Sequence, residues 1–216
     1  MMRSKFDSQL NELNEKLTEM GETCEEAIGL VAQSLEEQCV ERVAPVNKLE
    51  EKTNEQERLI ETLCLKLLLQ QQQPVARDLR QISSALKMIT DMERIGDQAS
   101  DIAEIIPFFL AHNTFDCTTV CRMARQASSM VVKSVEAFVT KDVQLAQSVA
   151  KMDDQVDADF SSTKQALIAA VAREPQQGEV ALDLLMIAKY LERIGDHAVN
   201  LSEWVEFAAT GVHKNS

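Results

Sequence analysis

The sequence predicts an all-α protein made of two tandem, pseudo-symmetric three-helix bundles, with six long helices packed antiparallel in the manner of spectrin. Three observations carry this expectation. Apolar residues recur at alternating steps of three and four along much of the chain, the spacing of amphipathic helices with a coiled-coil-like seam. Aromatics make up only 4% of the residues and glycines number six, too few for the packed strands and tight turns of a β-sandwich or barrel. Finally, the stretch Glu93-Arg94-Ile95-Gly96-Asp97-Gln98-Ala99-Ser100-Asp101-Ile102-Ala103-Glu104 returns 99 positions later as Glu192-Arg193-Ile194-Gly195-Asp196-His197-Ala198-Val199-Asn200-Leu201-Ser202-Glu203. Seven of the twelve positions are identical, which points to an internal duplication.

The first helix starts the pattern with Phe6, Leu10, Leu13, Leu17, Met20, Cys24, Ala27 and Val31, and is expected to run to about Val43, with Pro45 marking the break. A second helix is expected from Val46 through Leu49, Leu59, Leu63 and Leu67 to Gln73. Pro74 then suits the first turn of a third. That third helix carries Leu79, Ile82, Leu86 and Ile89 into the first copy of the repeated stretch, and Pro107 should end or kink it. His112-Asn113-Thr114 reads as the join, dividing the chain into residues 1–111 and 112–216. Val120, Met123, Ala127, Met130, Ser134 and Ala137 repeat the heptad steps in a fourth helix ending near Val139, after which Thr140 or Asp142 can cap the next. The fifth shows Leu145, Val149, Met152, Val156 and Phe160 and continues to about Arg173. Glu174 to Gly178 is a loop, and a sixth helix with Leu182, Leu185 and Leu191 bears the second copy and fades near Gly211.

A net charge of −13, with Lys and Arg scattered, would repel a phosphate backbone, so nucleic acid is not an expected partner. Five cysteines, an odd number, and an N-terminus lacking a signal-peptide apolar run fit a reducing cytoplasm. Cys117 and Cys121 lie four apart, but no further Cys or His completes a zinc set, so buried core thiols are expected. No apolar run is long enough to span a bilayer.

On a helix, Glu93, Asp97, Asp101 and Glu104 fall within about an 80° arc, and Glu192, Asp196 and Glu203 do the same with Asn200 in the third place. Ile95, Ala99 and Ile102, matched by Ile194, Ala198 and Leu201, form an apolar face on the other side. Acids four apart repel, costing a few tenths of a kcal/mol per pair (~0.2–0.5). Gly96 and Gly195 each add roughly 1 kcal/mol of helix cost relative to alanine. A solvated acidic face, with Arg94 and Arg193 pairing to Asp97 and Asp196, explains one such stripe; its repetition with the glycine favours a bound cation. Asp153 and Asp157 in the fifth helix, and Glu50 and Asn54 at what reads as the comparable place in the second, could face these acids from an antiparallel neighbour. Oxygen ligands of this kind suit hard cations such as Mg²⁺, Ca²⁺, Mn²⁺ or Fe³⁺. The di-iron Glu-x-x-His pattern is absent, since Gly195 stands three residues after Glu192, and His197 reads as a surface residue.

Glu-Arg-Ile-Gly-Asp-x-Ala twice, together with Gln73-Pro74-Val75-Ala76-Arg77-Asp78-Leu79-Arg80, resembles the PhoU family of phosphate-transport regulators over nearly the whole chain. The resemblance implies two three-helix bundles in a cytoplasmic, usually dimeric, non-enzymatic protein. It implies an adaptor between the ATPase subunit of a phosphate ABC transporter and a membrane sensor histidine kinase, reaching the membrane only through these partners. It also implies metal ions, with iron or zinc clusters in some members, so that iron, zinc, manganese and magnesium are the candidates. Carried over, the ligands are Glu93 with Asp97 and Glu192 with Asp196, facing Glu50/Asn54 and Asp153/Asp157; the stripe adds Asp101 and Asn200. Asn54 departs from the acidic pattern, and the second half lacks an Asp-Leu-Arg segment. A rival reading makes the same acids the ligands of a helical metalloenzyme acting on a phosphate ester. Another is a structural coiled coil with no site.

Overall fold

The computed structural model describes residues 2–70 and 76–212. Among them are six α-helices and two short 3-10 turns, with no strand: α1 (Met2–Glu37), α2 (Val46–Gln70), α3 (Ala76–His112), α4 (Thr118–Thr140), α5 (Val143–Arg173) and α6 (Gly178–Thr210). The first three helices pack on one another as one bundle and the last three as a second. The bundles meet along α3 and α6, which carry the two copies of the repeated stretch, and along α1 and α4.

Helix α1 buries Leu13, Leu17, Met20, Cys24, Ala27 and Val31 completely or nearly so, as its heptad steps require. It stops at Glu37, short of the expected Val43. Gln38 turns into the left-handed region (φ 52), and Val40–Val43 forms a separate 3-10 turn before Pro45. The expected end at Gln73 and first-turn role of Pro74 lie outside the described residues. Pro107 does not end α3, which continues to His112. A proline there costs one hydrogen bond, and Ile106 and Phe109, both 0% exposed, anchor the turns around it. Asp142, not Thr140, caps α5: its Oδ1 accepts from the Gln144 and Leu145 amides at 2.9 and 3.0 Å. Thr140 instead donates to the Glu136 carbonyl from the last turn of α4.

Three expected core leucines face solvent: Leu59 (64% exposed), Leu79 (37%) and Leu182 (62%). In α2 and α6 the true seam runs one position away from the exposed leucine. In α2 it passes through Val46, Leu49, Thr53, Ile60, Cys64 and Leu67, and in α6 through Ala181, Leu184, Ile187, Ala188 and Leu191. A one-residue error of phase rotates a helical position by 100°, enough to move it out of the core. Four cysteines are buried and Cys39 is partly so; burial pushes the Cys24, Cys64 and Cys121 thiols up to about 12.

Candidate metal centre

Ile95, Ala99 and Ile102 of α3, and Ile194, Ala198 and Leu201 of α6, are 0% exposed. Their burial turns the acids of each repeat away from the inter-bundle core and toward the second helix of the same bundle. In the second bundle this brings Glu192 and Asp196 of α6 to Asp153 and Asp157 of α5. The approach is close because Gly195 has no side chain: a Cβ there would stand 2.9 Å from Asp153 Oδ1. That oxygen is buried and accepts no hydrogen bond. Burial first, then repulsion from Asp157, Asp196 and Glu192, pushes the Asp153 carboxyl up to about 6. Asp196 is also raised, by partial desolvation and then by Glu192. Lys189 pairs with Glu192. Among the described residues, Asp153, Asp157 and Asp196 have no ion-pair partner, and Arg193 does not form the expected pair with Asp196.

In the first bundle, Glu93 and Asp97 of α3 face α2. Desolvation, then repulsion from Asp97 and more weakly from Glu57 and Glu50, raises the Glu93 carboxyl, while Arg94 opposes the rise. Arg94 reaches both acids, with its Nε 3.4 Å from Glu93 and its Nη1 3.4 Å from Asp97. Asn54 does not point at them; its Nδ2 donates to Glu50 Oε1 along its own helix. The group set against Gly96 is Thr53, whose Cβ, Cγ2 and Oγ1 all lie 3.3 Å from the site of a Cβ. Thr53 and Glu57, rather than Glu50 and Asn54, are therefore the counterparts of Asp153 and Asp157. Both escaped the sequence reading, although each lies 100 positions before its counterpart, one more than the 99 that separate the two glycines.

Two residues of the acidic stripes turn elsewhere. Asp101 lies where Glu104, Asp97 and the Arg193 guanidinium of α6 act on its carboxyl, which burial raises. Asn200 Nδ2 donates to Asp91 Oδ1 at 3.2 Å, and His197 Nδ1 lies 3.0 Å from the same oxygen. These contacts tie α6 to α3 and leave Asp101 and Asn200 outside the α2–α3 and α5–α6 seams. Asp91 was not singled out in the sequence; it precedes the repeated stretch and has Tyr190 at its repeat position.

Two acids from each of two packed helices, one with a buried unpartnered oxygen, face each other across the α5–α6 seam. Among the described residues no group of three or more Asp, Glu, His or Cys side chains is placed so that it could hold a metal ion.

A PhoU domain model matches residues 17–106 and 120–205, one copy over each bundle. The chain belongs to the PhoU family. A phosphate-specific transport system accessory protein PhoU homolog from Clostridium acetobutylicum is 32% identical over 212 residues, covering 98% of this chain and 97% of that protein. One from Synechocystis is 33% identical, covering 97% and 93%. The crystal structure of PhoU from Pseudomonas aeruginosa superposes with a TM-score of 0.90 at 30% identity, over 96% of this chain and 100% of that one. The phosphate transport system regulatory protein PhoU from Streptococcus pneumoniae shares the fold, with a TM-score of 0.88 at 24% identity and coverage of 96% and 98%. None of the six α-helices in the described part of this PhoU-family chain is long and apolar enough to cross a membrane.

Proposed function

We propose that the chain is a non-enzymatic regulatory accessory protein of phosphate uptake. It works in the cytoplasm, as a homodimer, and links the ATPase subunit of a phosphate ABC transporter to a membrane sensor histidine kinase. Its relatives carry the name of phosphate-transport accessory proteins across nearly their full length, which supports the regulatory part. The metal part rests chiefly on one observation, the buried and unpartnered Asp153 Oδ1 seated against Gly195. Burying a carboxylate oxygen without a partner is costly, and the acids around it make it costlier.

Asp153 and Asp157 from α5, with Glu192 and Asp196 from α6, are the residues that would hold the ion; iron, zinc, manganese and magnesium are the candidates. A bound cation supplies positive charge that offsets repulsion between the two helices. The four acids then fix the spacing of α5 and α6, and with it the surface that the second bundle offers a partner. Partner affinity and metal affinity are thereby linked, each raising the other by the same factor. The test is capture on immobilised transporter ATPase subunit, with Mn²⁺ or with chelator. The reading predicts capture with metal, and its loss with chelator or in Asp196→Asn. Equal capture in all three contradicts it.

A further inference from the structure

We infer that the groove between α3 and α6, at the end where α3 finishes, docks a basic amphipathic helix of a partner protein. Asp91 of α3 meets His197 and Asn200 of α6, while Asp101 feels the Arg193 charge and acts in turn on Tyr190, so the two helices run antiparallel. Followed further in that register, Phe108 comes level with Leu182 and Met186. Phe108 lies one turn beyond Glu104 and two beyond Asp101, on the same stripe of α3. Met186 and Leu182 lie one turn and two before Tyr190 on α6. Ile168 joins them from α5: it continues the stripe of Asp157, and the contact of Asp153 with Gly195 sets it level with the start of α6.

Phe108 is 71% exposed, Leu182 62%, Ile168 61% and Met186 42%. Apolar side chains exposed singly are ordinary, but four gathered at one place mark an interaction surface. The duplication supplies an internal comparison at the other end of the groove. There Phe207 holds the place of Phe108, partly buried with its ring edge-on to Trp204, and Ser83 and Lys87 hold the places of Leu182 and Met186. One end of the groove is thus polar, and its mate is apolar.

The rim decides what fits. Asp101 and Glu104 flank Phe108, Glu179 and Asp183 flank Leu182, and none of the four has an ion-pair partner among the described residues. Burial and then Glu179 raise the Asp183 carboxyl, as burial and then Glu104 raise that of Asp101. Against these acids stand Arg193, which acts on Asp101, and Lys164, one turn before Ile168, so the rim keeps a net negative charge. A cationic segment relieves that repulsion while its apolar face covers the four side chains. A groove between two antiparallel helices takes a third by ridge-and-groove packing, with anchors spaced i, i+3, i+4 and i+7. A second copy would set the same acids against themselves across a two-fold axis, and a membrane of anionic lipid would repel them.

The probe is a fluorescein-labelled synthetic helix of leucine and lysine, with leucine along one face, titrated with the full chain and read by anisotropy. It should bind, more weakly as salt is raised, and the matching leucine–glutamate peptide should not. Phe108→Ser with Leu182→Ser should weaken binding roughly tenfold or more. Glu179→Gln with Asp183→Asn should weaken it several-fold. Leu59→Ser, at a leucine 64% exposed on α2, should change nothing. Circular dichroism checks that each variant keeps its helices, and Met186→Ser takes the place of the first pair should that pair unfold. Undiminished binding by the Phe108 and Leu182 variant, or equal binding of the leucine–glutamate peptide, overturns the inference. So does self-association of the chain that this variant abolishes, which makes a second copy the occupant, or binding to phosphatidylglycerol vesicles that it abolishes, which makes a membrane the occupant.

Discussion

Asp153 Oδ1 lies 2.9 Å from the point where a Cβ on Gly195 would stand, so the carboxylate of α5 rests on the bare backbone of α6. Its counterpart contact, Thr53 against Gly96, is less close at 3.3 Å and differs in chemistry. Alanine in place of the two glycines should therefore have opposite effects. The Asp153 carboxylate is the end of a flexible side chain and can swing toward solvent. Gly195→Ala should leave stability unchanged or raise it by up to about 1 kcal/mol from helix propensity. It should weaken Mn²⁺ binding by displacing Asp153. In Gly96→Ala the clash is with Thr53 Cβ, fixed to its backbone, so overpacking of ~1–3 kcal/mol outweighs the propensity gain. A net loss of about 1 kcal/mol is expected, a fall of roughly 2–4 °C in melting temperature for a chain of this size. Melting curves of both variants in chelator check the contrast.

The Asp153 carboxyl should make metal-free protein less stable as pH rises. The Asp153 carboxyl is raised to about 6 in the folded chain from 3.8, so the folded state holds its proton more tightly. Stability from this group is fully present below about pH 4 and falls as pH rises through 6. Water screens the half-exposed side chain, so the loss is nearer about 1 kcal/mol than the full shift implies. In chelator, Asp153→Asn should raise the melting temperature at pH 7.5 and flatten its dependence between pH 4 and 7. A variant less stable than the parent at pH 7.5 contradicts this.

The ion pair between α4 and α5, in which Asp159 is buried and Arg122 exposed, should behave in the reverse sense. Arg122 donates to Asp159 from Nε at 2.7 Å and from Nη2 at 2.8 Å, and Gln155 adds a third bond at 3.0 Å. The Arg122 bonds come first in holding the Asp159 carboxyl below its usual value. Its stabilisation is present above about pH 4 and is lost as pH falls through the depressed folded value. Arg122→Met leaves a buried carboxylate without its main partner and should cost about 2 kcal/mol. Arg122→Met with Asp159→Leu should recover most of that, measured by urea unfolding.

The Asp91 contacts should hold the two bundles together. Asp91 Oδ1 meets both His197 and Asn200 across the α3–α6 seam. Asp91→Ala should cost about 1 kcal/mol and leave Mn²⁺ stoichiometry unchanged, because none of the three lies in the α5–α6 seam. Urea unfolding and dialysis measure the two effects separately.

Much of this was legible in the residues themselves. The heptads of α1 and α4 mark their buried faces without exception among Leu13 to Val31 and Val120 to Ala137, because a long seam constrains every position along it. The repeated stretch likewise marks Gly195 and Asp196, and the i, i+4 spacing in the fifth helix marks Asp153 and Asp157, which face them. The counterparts in α2 were not legible. That helix is mostly polar, Thr53 and Ile60 carry its seam in place of Leu59, and a one-position slip between repeats shifts the match from Glu50 and Asn54 to Thr53 and Glu57. Contacts across α3 and α6 escaped for another reason. Asp91, His197 and Asn200 meet only through the packing of the two bundles, and no spacing within one helix announces that.

The central claim is that the Asp153 seam binds a metal ion that braces α5 against α6. Its most direct test is the melting temperature of chelated protein as Mn²⁺ is added, for the unaltered chain and for Asp153→Asn. At a hundredfold excess over the dissociation constant, binding to the folded state alone adds about 2.7 kcal/mol. The unaltered chain should therefore melt several degrees higher, in a saturable way, while Asp153→Asn stays put. An equal rise in both, or none in either, contradicts the claim.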